Sequence, residues 1–135
     1  MFRLTEEMFA VGKPARQGEV YIWMKQYAPR SVLTLVESGN AEEMKLGGPL
    51  IIGHSETGHH HVLEPVNTGV KLEAAVQVMV DKLNDSFMEL RLAQECQLLH
   101  KRGNHTHGTL IFPPGDYVRV IRSEQTVEGW RRVAD

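Results

Sequence analysis

Apolar and polar residues along this chain alternate in short bursts divided by turn residues, the pattern of a mainly β domain. Val20-Tyr21-Ile22-Trp23-Met24 is rich in β-branched and aromatic side chains and predicts a first strand. Tyr27-Ala28-Pro29 marks a turn, and residues 32–36 predict a second strand closed by Ser38-Gly39-Asn40. Residues 41–46 read as one helical turn, after which Gly47-Gly48-Pro49 resets the chain before the short strand Leu50-Ile51-Ile52. Val70, Leu72, Ala74, Val76, Val78 and Val80 alternate with polar neighbours and predict a strand, with a turn at Asn84-Asp85 and a returning strand over 87–92. A helical face (Leu72, Val76, Met79, Val80 and Leu83) fits the same stretch, but six alternating positions outweigh it. Residues 97–100 predict another strand and 101–106 a polar loop with Gly103-Asn104 at its tip. Residues 109–112 and 116–122 form the last pair of strands about the turn Pro113-Pro114-Gly115. Residues 1–18 read as an irregular lead-in, and 123–135 as a tail packed on the body through Trp130. Many short strands with Gly/Pro turns make a single domain over 1–135, a small β-sandwich or barrel.

Composition narrows the function classes. The apolar fraction of 41% supports a real core, and the net charge of -2 gives no electrostatic pull toward nucleic acid or membrane. The clearest basic cluster, Arg131-Arg132, sits beside Asp135. One cysteine, Cys96, cannot form an internal disulfide, which fits a reducing compartment. The start MFRLTEEMFA has no continuous apolar stretch, and no run is long enough to span a bilayer. The expectation is a cytoplasmic protein, free or packaged into a particle, that binds neither nucleic acid nor membrane.

The seven histidines change the picture, because all of them fall between residues 54 and 107. In Gly58-His59-His60-His61-Val62, a strand would point His59 and His61 to one face, roughly 7 Å apart, and His60 to the other. His105 and His107 would share a face in the same way, and His100 ends a strand just before them. The expected ligand set is therefore His59, His61, His100, His107 and His105. Imidazoles suit a divalent transition metal, zinc or iron first, with manganese, nickel or copper as alternatives. Three protein ligands leave a position for water, whose pKa the ion can bring near neutrality. Glu56 and Glu64 flank the first cluster and are the candidate catalytic carboxylates, as general base or ligand orienter. The bland alternative is a set of surface histidines that bind metal adventitiously.

Two resemblances follow from these residues. Gly53, then His59-His60-His61, then Glu64 resembles the first motif of the cupins, and Pro113-Pro114-Gly115 the proline-glycine part of their second. That resemblance implies a metal-binding barrel, with two departures: Glu64 stands one or two residues too near, and no histidine follows Gly115. A fourth ligand would have to come from His100, His105 or His107. The chain is also similar to a family of small uncharacterised phage and prophage proteins. The shared words are Arg16-Gln17-Gly18-Glu19-Val20, Gly53 through Val62, His100 with Thr106-His107-Gly108, Pro114-Gly115-Asp116-Tyr117, and Glu128 through Asp135. This second resemblance implies a phage context and a histidine site at His59, His61, His100 and His107, and leaves His105 outside it.

Three functions compete. One is a metal-dependent, cupin-like enzyme. Another is a non-enzymatic phage accessory or virion protein, stabilised by metal or by self-association as a homo-oligomer. The third is an inhibitor or regulator of a host protein.

Overall fold

The computed structural model describes residues 1–38, 40–54, 58–126 and 129–132, with side chains described as far as Arg122 except at Ser38. The chain opens with β1 (Phe2–Arg3), α1 (Glu6–Phe9), β2 (Ala15–Gln17) and β3 (Val20–Met24). A 3-10 turn (Lys25–Tyr27) leads to α2 (Arg30–Ser38), β4 (Glu42–Glu43), β5 (Leu50–His54) and β6 (His60–Pro65). Then come α3 (Leu72–Ala75), β7 (Val76–Asp81), β8 (Asn84–Leu92), β9 (Cys96–Arg102), β10 (His105–Phe112) and β11 (Gly115–Ile121). A final hairpin pairs β12 (Ser123–Thr126) with β13 (Gly129–Arg132).

Two sheets carry the fold. One runs β1-β10-β9-β6-β5, the other β2-β3-β11-β8-β7-β4. Alternation along each strand sends one set of side chains inward. Leu50, Ile52, Leu63, Leu98 and Phe112 from the first sheet meet Val20, Ile22, Met24, Val78, Leu90 and Tyr117 from the second in one buried cluster. The result is a sandwich of two sheets, not a closed barrel. Phe9 of α1 closes one end of the core against Phe112 and Tyr117, with ring centroids 6.1 and 5.6 Å away.

Four local expectations need correction. Residues 32–36 belong to helix α2 rather than a strand. Pro29 heads the helix, where its missing N–H costs nothing, and its carbonyl accepts from the Val32 and Leu33 amides. Val32, Leu35 and Val36 then fall on one helical face, over Trp23, Phe87, Val118 and Val120 on the outer side of the second sheet. Residues 41–46 hold the short strand β4 instead of a helical turn, paired to β7. The stretch 70–83 is mixed: α3 occupies Leu72–Ala75, and strand alternation starts only at Val76. Residues 1–18 contain three elements, and β1 pairs in parallel with β10 while Arg3 ion-pairs with Glu95. The side chain of Trp130, expected to anchor the tail, lies outside the described residues.

Candidate metal centre

Strands β6, β9 and β10 lie side by side, and their register puts His61, His100 and His107 in one row: His61 opposite His100, and His100 opposite His107. Directly paired residues share a face. Toward the other end of the same face, His100 is followed by Leu98 and Cys96, both 0% exposed. The row thus continues the inner surface of the sandwich out to its open end.

A register shift on β10 makes this arrangement possible. His107 pairs with His100, yet Leu110 pairs with Leu98, so two residues, Gly108 and Thr109, oppose one on β9. The extra residue reverses the alternation, and His107 and Leu110 both face inward although three positions apart. Gly108 stands at φ 59, a left-handed conformation that a side chain would resist. Without the bulge, an inward Leu110 would require His107 to point away.

His59 lies just ahead of β6, free of the strand's alternation, and its ring covers the row. Its centroid is 4.7 Å from that of His100 and 5.4 Å from that of His107; His100 and His107 are 4.5 Å apart. One ligand nitrogen from each of His59, His100 and His107 falls within 4.8 Å of the other two. Zinc–imidazole bonds of about 2.0–2.1 Å set tetrahedral nitrogens about 3.4 Å apart, so side-chain rotation of about an ångström would close the triad on an ion. His100 is buried, His59 half-buried and His107 exposed, so one side of the triad opens to solvent.

His61 is held apart from this group. Its ring lies nearly parallel to that of His100, 13° off with centroids 4.6 Å apart. Its Nδ1 meets Gln17 Oε1 at 2.7 Å, and its Nε2 stands 3.1 Å from Glu19 Oε1. The Gln17 Nε2 donates to the Leu98 and Gly108 carbonyls at 3.1 and 2.9 Å. That fixes Gln17 Oε1 as an acceptor and His61 Nδ1 as the donor. With Nδ1 bonded to Gln17, Nε2 turned toward the Glu19 carboxylate and no surface exposed, His61 backs His100 instead of facing an ion. The same Gln17 side chain also ties down the Gly108 bulge that aims His107. Gly53, opposite His61 on β5, gives this cluster room: a Cβ there would lie 2.6 Å from Val20 Cγ2 and 3.1 Å from His61 Cδ2.

The other expected residues are placed as follows. His105 is exposed, its ring centroid 5.5 Å from that of His107, beside the triad but outside it. Glu64 is three residues beyond His61 on β6, so it faces outward, where it accepts a hydrogen bond from Gln97 at 3.4 Å. The structure does not bring it to the histidines. Glu56 lies outside the described residues. Gln17 and Glu19 lie outside the expected set, although both occur in the word Arg16-Gln17-Gly18-Glu19-Val20. The available signal was a polar pair flanking a glycine just before an apolar strand. Cys96 is fully buried, and burial pushes its thiol up to about 11, which suits an inert core residue.

The chain belongs to a family described as a domain of unknown function, DUF8820, whose model matches residues 16–122. No curated protein and no solved structure matches it. The family description carries no reaction, so the case for function rests on the histidines.

Proposed function

We propose that this DUF8820 member binds one divalent transition metal, zinc or iron foremost, through His59, His100 and His107. The observation that carries the reading is the convergence of three imidazoles from separate stretches of chain within 4.8 Å of one another. One of them, His100, is also buttressed by a buried neighbour. A surface tract of histidines would have no reason to engage Gln17 and Glu19 in the core. Buried polar groups require partners, and here the partners hold a ring against a prospective ligand.

Three protein ligands with one exposed flank favour a reactive centre over a purely structural one. The ion would supply Lewis acidity, and this chain supplies the fixed imidazoles and the water-accessible side at His107. A second reading, a metal clip in a non-enzymatic accessory protein, is favoured by the adjacency of β9 and β10, whose crosslinking would stabilise the hairpin. The phage setting belongs to the proposal too, on the resemblance of residues 53–62 and 128–135.

The decisive measurement is elemental analysis of untagged protein. Wild type should carry one equivalent of metal, and His107→Ala, altered at an exposed position, should carry none. Retention of a full equivalent by both His59→Ala and His107→Ala would sink the reading. Cobalt substitution separates its two forms: a visible spectrum that responds to added azide or thiocyanate marks an open position, and an unresponsive one marks a closed clip.

A further inference from the structure

A second histidine pair lies outside the triad. His54 ends β5 and His60 begins β6, and the two are opposite each other in the ladder. Both face outward, because their neighbours Gly53 and His61 face in. The rings stand nearly perpendicular, at 89°, and their Nδ1 atoms are 2.8 Å apart. Without metal, one Nδ1–H donates to the other Nδ1.

We infer that His54 and His60 form a separate chelate for a divalent ion preferring right-angle coordination, copper(II) or nickel(II). At metal–nitrogen bonds of about 2.0–2.1 Å, ligands at a right angle lie about 2.9 Å apart and tetrahedral ligands about 3.4 Å apart. The hydrogen-bonded separation of 2.8 Å is close to the right-angle bite and well short of the tetrahedral one. Nitrogen ligands in a square-planar or tetragonal arrangement are those of copper(II) and nickel(II). The two β-strands already hold the rings together, so little ordering remains to oppose binding. Turning the rings makes both lone pairs converge beside the line joining the nitrogens. The ring that held its hydrogen on Nδ1 releases it to water and takes one up on Nε2, so a neutral pair binds the ion with no net loss of protons. Water completes the shell on the exposed side. Lys101, paired with His60 on β9, adds a positive neighbour and makes this the weaker of the two sites.

The two sites face opposite sides of the first sheet, so they should load independently. The test uses full-length protein in the His59→Ala/His107→Ala background, so its result does not depend on the triad. Copper(II) titration followed by electron paramagnetic resonance should give one bound equivalent with hyperfine coupling to two nitrogens. Adding His54→Ala should abolish it. An unchanged equivalent after His54→Ala, or no bound copper before it, would overturn the inference. Circular dichroism of each variant verifies that the fold persists at these surface positions.

Discussion

Strands β6, β9 and β10 build two different regions from one inner surface. At one end, Leu63, Cys96 and Phe112 pack into a dry core with Phe9 and Tyr117. At the other, His61, His100 and His107 occupy equivalent inward positions, with Gln17 and Glu19 behind them. β6 and β9 pair without a break between the two ends and β10 departs only at its bulge, so the difference lies in the side chains and in that one shift. Apolar burial stabilises the first region without directional demands. The second depends on directional bonds, and the Gln17 side chain, bonded to His61 Nδ1 and to the Leu98 and Gly108 carbonyls, fixes ring orientation. One end therefore supplies stability, and the other converts some of it into a defined arrangement of ligands.

The comparison breaks most visibly on truncation. Phe112→Ala should cost about 3–5 kcal/mol in urea unfolding, whereas His107→Ala without metal should stay within about 0.5 kcal/mol. Equal losses would erase the distinction. Within the polar region, Gln17→Ala removes an acceptor from His61 and a donor from two carbonyls. About 3 kcal/mol of destabilisation is expected, since unsatisfied buried groups cost about 1–3 kcal/mol each. Metal affinity should fall with it, although Gln17 touches no ligand; a variant with wild-type affinity would remove the role given to the network.

The dry end should respond to alkali. Burial raises the Cys96 thiol from 9.0 to about 11, so the folded state disfavours the thiolate. Its contribution is intact below pH 9.0 and is lost as pH rises toward 11, by about 2–3 kcal/mol at roughly 1.4 kcal/mol per unit. Burial raises the Tyr117 hydroxyl as well, so the same trend continues at higher pH. Comparing unfolding of wild type and Cys96→Ala at pH 8 and pH 11 isolates the thiol, and parallel losses would refute its share. Gly53→Ala should cost about 1–3 kcal/mol from crowding against Val20 and His61, read as a lowered melting temperature. The smallest effect belongs to His105→Ala, which should leave both metal content and stability unchanged.

Much of the architecture was legible because β3 is an unbroken run of β-favouring residues and inward positions alternate along β7 and β9. Helix α2 was not, since its β-branched run matched a strand in composition; Pro29 and the three-and-four spacing of Val32, Leu35 and Val36 held the contrary signal. The histidine segment was legible in content but not in direction. Alternation joined His59 to His61, yet His59 precedes the strand and is not bound by its parity. His61 takes its partners from Gln17 and Glu19, more than forty residues earlier, a pairing that only the folded chain displays. The β10 bulge likewise depends on its partner strand.

The parallel pairing of β1 with β10 has a consequence for biosynthesis. Phe2 and Arg3 leave the ribosome long before Leu110 and Ile111, the residues they pair with. At about 5–20 residues per second, that strand waits on the order of 5–20 s for its neighbour. Its sheet is therefore completed late, by joining residues more than one hundred positions apart, and refolding should be slow for a domain of this size.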